Sequence, residues 1–281
     1  MNAVSVRVPA TTANLGPGFD CLGVALQLYN VVTVRAAAGS WPDPFIAAAA
    51  QSFFRRADRA PRAFAVTISG DVPCSRGLGS SVTVRLGLIA ALNAFYDQPL
   101  TVAETLDLVV QLEGHPDNAV PACYGGFAVS GRHAHHTVSV EPAVKFVAVI
   151  PDREVATKDA RAILPARVPL PLAVENIQNS GLIISAFLAR NYRLLKGAFA
   201  DHLHQPYRAR LITGCEAVIR AAAAAGALGA FISGSGSTLM AVTLDRAEFV
   251  AESMKHALCA AGGGAAQSLI LSADNEGVKV L

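Results

Sequence analysis

Charge is scarce in this sequence. Only 16% of its 281 residues are Asp, Glu, Lys or Arg, against about 25% in an average globular chain, while 52% are hydrophobic. A disordered or solvating chain is excluded, because such chains lack the apolar surface needed to offset the entropy of ordering. Long apolar runs are missing as well. A membrane-spanning helix needs roughly 20 apolar residues in succession, whereas the longest candidate here, residues 221–232, is 12 residues of mostly Ala and Gly. Residues 1–10 carry no apolar segment of the signal-peptide kind. The mean hydropathy of +0.40 therefore reads as core, and the protein as soluble and cytoplasmic with no membrane partner. Lys and Arg are scattered among acids at a net charge of +2, which provides no basic track for nucleic acid. The five cysteines, Cys21, Cys74, Cys123, Cys215 and Cys259, are odd in number and never spaced C-x-x-C. Neither a disulfide framework nor a zinc site follows, and a reducing compartment fits.

Three common signatures are also absent. No G-x-G-x-x-G, no G-x-x-x-x-G-K-[ST] and no G-x-S-x-G occurs, so a Rossmann fingerprint, a Walker loop and a hydrolase elbow are all unsupported. His133, His135 and His136 lack the carboxylate or thiol spacing of a metal site and read as a surface hairpin.

A chain of 281 residues exceeds the usual domain of about 100–150, so two cores are expected, with a break near 150: residues 1–150 and 151–281. Alternating apolar residues predict strands at 4–8, 26–35 and 64–69. Helices are predicted at 46–60, 81–96 and 102–113, the last opened by the capping box Thr101-x-x-Glu104. Further strands are expected at 126–130, 137–140 and 144–150, then a helical region over 172–225. Strands near 230 and 239, a helix over 246–261 and a strand at 268–272 complete the chain. From residue 144 onward the order is β-α-β-β-α-β, within an α+β fold.

The segment Pro73-Cys74-Ser75-Arg76-Gly77-Leu78-Gly79-Ser80-Ser81, between a predicted strand and an apolar helix, has the chemistry of a phosphate site. Its glycines allow close backbone approach, its serines supply hydroxyls, and the helix start offers unpaired N–H groups at the positive dipole end. The same residues also suit a plain glycine turn with Ser80 or Ser81 as N-cap. Ser233-Gly234-Ser235-Gly236-Ser237-Thr238 reads either as a hairpin turn or as a backbone wall closing on a ligand. Glu113 ends a helix, where the dipole disfavours a carboxylate unless a cation binds. Pro116 then fixes His115, Asp117 and Asn118 on one loop.

Taken in order, these segments resemble the GHMP small-molecule kinases. The opening Val8-Pro9-Ala10-Thr11-Thr12-Ala13-Asn14-Leu15-Gly16-Pro17-Gly18-Phe19-Asp20, the loop P-x-x-x-G-L-G-S-S and the block Glu113-Gly114-His115-Pro116-Asp117-Asn118 carry the likeness, most strongly to the branch acting on homoserine. Ala156-Thr157-Lys158-Asp159-Ala160-Arg161, Pro206-Tyr207-Arg208 and residues 233–238 follow in the family's order. The resemblance implies an N-terminal domain like the second domain of ribosomal protein S5, a ferredoxin-like C-terminal α/β plait, and an active site between them. It also implies ATP with Mg2+ as donor, L-homoserine as acceptor, O-phospho-L-homoserine as product, a place in threonine biosynthesis and a homodimer. It puts the ATP phosphates on Pro73, Cys74, Ser75, Arg76, Gly77, Leu78, Gly79, Ser80, Ser81, Val82 and Thr83, and the metal on Ser81 and Glu113. The amino acid falls to Asn14, Asp20, Asn118, Arg161, Arg208 and Gly234. A zwitterion needs an anion and forked donors, and Asp20 and the two arginines supply them. Asn118 is expected to orient the hydroxyl and Arg76 to neutralise charge, with Asp117 left as a possible base, and Asn30 is a candidate for the adenine pocket.

Several positions depart from the family pattern. Val82-Thr83 replace Ala-Ala and are expected to crowd the loop, Ser237 stands where Pro is usual and loosens a turn, and Ala156 replaces Ser. Two rival readings stay open: a GHMP kinase for a mevalonate-pathway or sugar alcohol, and a non-catalytic binding protein on the same fold.

Overall fold

The computed structural model describes residues 3–38, 41 and 43–281. The chain runs β1 (Ala3–Ala13), β2 (Leu22–Ala36), α1 (Pro44–Arg56), β3 (Phe64–Gly70), α2 (Ser80–Phe95), α3 (Val102–Glu113), α4 (Ala119–Tyr124), β4 (Phe127–Ser130) and β5 (His135–Val138). It continues with β6 (Lys145–Pro151), α5 (Thr157–Ala162), α6 (Leu170–Leu188), α7 (Gln205–Arg208), α8 (Cys215–Ala224), β7 (Gly229–Ile232), β8 (Leu239–Thr243), α9 (Ala247–Ala260), β9 (Ala266–Leu271) and β10 (Lys279–Val280). None of the described helices is long and apolar enough to cross a membrane.

Two sheets result. One is ordered β10-β1-β2-β4-β5, with β3 on the far half of β2, and the other β7-β8-β6-β9. Every pair is antiparallel. The second sheet holds the strands of a β-α-β-β-α-β chain in a plait. The break at 150 cuts β6 away from its sheet, because Lys145–Pro151 pairs with β8 and β9. The C-terminal β10 returns to the first sheet through Val6 and Arg7.

Alternation along the strands builds three cores. Val4, Val6, Val8, Val32 and Val34 face one side of the first sheet, where α1 to α4 cover them and Phe53 and Phe54 are fully enclosed. Burial of each such phenyl contributes about 1.5–3 kcal/mol. Phe146, Ala148 and Ile150 of β6 join a second core with Leu22, Val24 and Phe187, which welds the two sheets together. Val147 and Val149 point the other way, beneath α8 and α9. A strand buried on both faces reads as a continuous apolar run, as 146–150 does.

Local signals fix the functional ends of these elements. The pairing of β1 with β2 slips between Pro9 and Ala10, a bulge of the kind that re-aims a strand beside a site. Past it, Ala10 enters the second core and Thr11 reaches the middle of the molecule. Thr101 and Glu104 form the capping box of α3, and Gly114 ends that helix at φ +83°. Ala156 has N-cap backbone geometry before α5 but no side chain to cap it.

Candidate active site

A cleft of about 570 Å³ lies between the two sheets. The phosphate-type loop forms its floor. Ser75, Gly77 and Gly79 sit at φ +54°, +75° and +69°, so the chain winds through left-handed turns before α2 begins. A Cβ on Gly77 would fall 2.1 Å from the Ser233 carbonyl oxygen, and one on Gly79 would fall 2.1 Å from Thr11 Oγ1. Both positions demand glycine. The loop is held by its neighbours: Thr11 N donates to Leu78 O at 3.1 Å, Thr238 N to Arg76 O at 3.2 Å and Ser233 Oγ to Gly77 O at 2.7 Å. Residues 233–238 therefore wall the loop from the second sheet.

Gly79 is the N-cap of α2, and no side chain caps that helix. The first-turn N–H groups stay open, with the positive dipole end beside them, which is what an anion requires. Cys74, Ser75, Gly77, Gly79, Ser80 and Ser81 line the cleft. Leu78, Val82 and Thr83 are buried behind it. Val82 packs into the first core and does not crowd the loop. Thr83 Oγ1 donates to Ser80 O and accepts from Asn30 Nδ2. Asn30 also takes Val72 N on its oxygen, so it braces α2 from behind and does not line the cleft. Ser237 Oγ donates to the Arg153 carbonyl, a tether that replaces the stiffness a proline would give.

Arg76 turns away from the cleft. Its guanidinium donates to the carbonyls of Pro151, Asp152 and Cys74 at 3.0, 2.9 and 3.3 Å and pairs with Glu154 at 3.2 Å. The expected phosphate cation is instead a clamp between the loop and the end of β6. Left-handed turns on either side of it rotate the side chain outward.

Ser81 and Glu113, 32 positions apart, meet: Ser81 Oγ donates to Glu113 Oε2 at 2.9 Å. Arg85, one turn along α2, holds Oε1 at 2.7 Å. A hydroxyl and one carboxylate oxygen beside an open helix start are hard donors, and they fit Mg2+, which keeps most of its shell as water and phosphate oxygens.

The next loop stands beside them. Asp117 Oδ1 accepts from His115 Nδ1 at 2.5 Å, Asn118 N at 3.0 Å and Asn118 Nδ2 at 3.3 Å. Burial works against a charged His115, yet the hydrogen bond and charge of Asp117 prevail and raise its pKa. Asn118 Oδ1 accepts from Thr11 Oγ1 at 2.6 Å.

The far end of the cleft is charged. Arg161 grips Asp20 through both nitrogens, at 2.8 and 3.1 Å, each side chain about one-third exposed. Asn14 anchors this turn, accepting from Asp20 N and donating to Gly234 O at 3.0 Å each. Arg208 is buried and donates to Gly234 O at 2.9 Å, so the Gly234 carbonyl joins two expected contacts, Asn14 and Arg208. Burial, and then Arg161, lower the Arg208 pKa to about 10, which leaves it protonated near neutrality. Phe19, which carried no assigned role within the opening motif, has its ring centroid 5.0 Å from the Arg208 Cζ and 5.5 Å from that of Arg161, with His204 stacked on it at 5.1 Å. At the opposite end Phe45, Ile46, Ile68 and Val84 form an apolar lining, also unforeseen.

Comparison with known proteins shows the family. The N-terminal domain of GHMP kinases matches residues 44–126, and the C-terminal domain matches residues 183–261. The homoserine kinase of Caldicellulosiruptor bescii is 38% identical, over 99% of this chain and 96% of its own, and that of Aquifex aeolicus is 36% identical over 99% of each. The crystal structure of homoserine kinase from Cytophaga hutchinsonii superposes with a TM-score of 0.90 at 27% identity, covering 100% of this chain and 98% of that one. The chain belongs to the GHMP kinase family, in its homoserine kinase branch.

Proposed function

We propose that this protein transfers the γ-phosphoryl group of ATP to the side-chain hydroxyl of L-homoserine, giving ADP and O-phospho-L-homoserine for threonine biosynthesis. The observation that carries the reading is one cleft with an open helix start and the Ser81–Glu113 pair at its middle, and Asp20, Arg161 and Arg208 at one end. ATP phosphates would lie against the N–H groups of Gly77 to Ser81. The apolar lining of Phe45, Ile46 and Ile68 suits a purine. Asp20 would share its charge between Arg161 and the substrate ammonium, and the two guanidinium groups would take the carboxylate.

Phosphoryl transfer asks the protein mainly for position and charge. The homoserine oxygen–phosphorus bond forms as the bond to the β,γ-bridging oxygen breaks. That oxygen leaves with its electron pair on ADP, and the hydroxyl proton is released in net. Asn118 orients the hydroxyl oxygen, and the loop N–H groups stabilise the phosphoryl oxygens. Mg2+, when held by Ser81 and Glu113, supplies positive charge against the oxygens of the transferring group. Asp117 spends Oδ1 on its own loop and so works as an orienter.

An uncharged sugar acceptor leaves the Asp20–Arg161–Arg208 set without a partner, mevalonate brings a carboxylate for the arginines but no ammonium for Asp20, and a non-catalytic role leaves Ser81 and Glu113 unexplained. A cytoplasmic homodimer completes the proposal. Leu170, Val174, Ile177 and Leu188 along the exposed side of α6 offer apolar surface for association, to be checked by light scattering. The test of function is a coupled assay of the purified protein with ATP, Mg2+ and a panel of amino-acid, isoprenoid and sugar alcohols. Turnover of homoserine far above the others is expected, and equal turnover of mevalonate would overturn the assignment.

A further inference from the structure

Thr11 touches both halves of the reaction centre without entering the cleft. It is fully buried and absent from the cleft wall. Its backbone N–H holds the phosphate loop at Leu78 O, 3.1 Å away. Its hydroxyl donates to Asn118 Oδ1 at 2.6 Å. Gly79 is folded so tightly over this contact that a Cβ there would lie 2.1 Å from Thr11 Oγ1 and 3.3 Å from Asn118 Oδ1.

An amide side chain has two ends of nearly equal shape and opposite polarity, and only its partners decide which way it faces. Thr11 supplies a donor to one end. Asp117 Oδ1, 3.3 Å from Asn118 Nδ2, supplies an acceptor to the other. Reversing the amide would set Asn118 oxygen against Asp117 oxygen and leave the Thr11 hydroxyl facing N–H groups. With Oδ1 and one N–H so engaged, the remaining N–H is the group available to the cleft.

We propose that Thr11 is a positioning residue: its hydroxyl fixes the polarity of the Asn118 amide, so that a donor faces the acceptor hydroxyl oxygen, and its backbone ties that amide to the phosphate loop. The inference rests on the reading that Asn118 orients the acceptor alcohol, and it goes beyond that reading by naming what sets the amide.

Thr11→Val keeps the branched shape of the strand residue and removes only the hydroxyl, while Thr11→Ser keeps the hydroxyl. For Thr11→Val, kcat with homoserine should fall about 10- to 100-fold while the ATP dissociation constant stays within about twofold, and Thr11→Ser should stay within about threefold of the parent in both. In an Asn118→Ala background the Thr11→Val change should cost almost nothing more, since a residue acting through another is silent once that other is gone. A second readout needs no turnover. The side-chain amide pair of Asn118 in 1H–15N spectra, assigned by its loss in Asn118→Ala, should shift or broaden in Thr11→Val and not in Thr11→Ser. Undiminished kcat in Thr11→Val, equal damage in Thr11→Ser, additive loss in the double variant, or an unmoved amide pair would overturn the proposal. A parent protein inactive on homoserine would overturn the function instead, and the spectra would still decide the role of Thr11. Should Thr11→Val fail to fold, Thr11→Cys, with a weak donor of similar size, is expected to give an intermediate kcat and amide shift, and parent-like values in it would count against the proposal.

Discussion

Ser81 Oγ donates to Glu113 Oε2 at 2.9 Å, joining the first turn of α2 to the last residue of α3. Residues that sit at opposite helix ends face each other because α2 and α3 pack in the same apolar layer. Removing the carboxylate charge with Glu113→Gln is expected to lower kcat by about 10²-fold or more and to raise the Mg2+ concentration needed for half-maximal rate. Titrating the metal at saturating ATP and homoserine checks this, and an unchanged metal dependence would remove Glu113 from the metal site.

Arg76 is a clamp, with three carbonyls and Glu154 as its partners. Arg76→Met should lower stability by about 1–3 kcal/mol, the scale of hydrogen bonds from a charged group, while leaving kcat within about threefold. Urea denaturation and initial rates separate the two. A collapse of kcat with stability unchanged would restore the arginine to the chemistry.

Phe19 is packed between two guanidinium groups and an imidazole. Phe19→Leu keeps the bulk and loses the ring face. Each such contact is worth about 0.5–2 kcal/mol, so the homoserine KM is expected to rise about 3- to 30-fold with kcat little changed. A pure loss of kcat would contradict the role.

Much of this site was legible in the sequence. Glycine and serine spacing marked the loop at 73–81, and the capping box marked α3, at whose end Glu113 meets Ser81. Asp20, Arg161 and Arg208 converge as expected, although they come from three distant segments. What escaped depends on directions that no spacing encodes. The outward turn of Arg76 follows from left-handed residues on either side of it, and Phe19 gains meaning only when α5 and α7 bring arginines to its faces. Phe45, Ile46 and Ile68 look like ordinary core residues of a helix and a strand, and only the fold opens them to the cleft. The β-α-β-β-α-β order read from residue 144 already grouped β6 with the second sheet, although the break drawn at 150 runs through that strand.

His115 binds its proton more tightly in the folded protein, because Asp117 outweighs the burial that would otherwise lower its pKa. A raised folded value gives stability that is complete below the ordinary histidine pKa of 6.5 and is lost as pH rises through the folded value. The stability difference between the parent and His115→Gln should therefore be larger near pH 5 than near pH 9, by denaturant unfolding at each. An equal difference at both would show that the pair carries no charge.

The most direct test is a crystal structure with a non-hydrolysable ATP analogue, Mg2+ and L-homoserine bound together. The β- and γ-phosphate oxygens are expected within hydrogen-bond distance of the N–H groups of Gly77 to Ser81, with the homoserine ammonium at Asp20 and its hydroxyl oxygen at Asn118. Phosphates bound away from that loop, or an amino acid outside the reach of Arg161 and Arg208, would contradict the account.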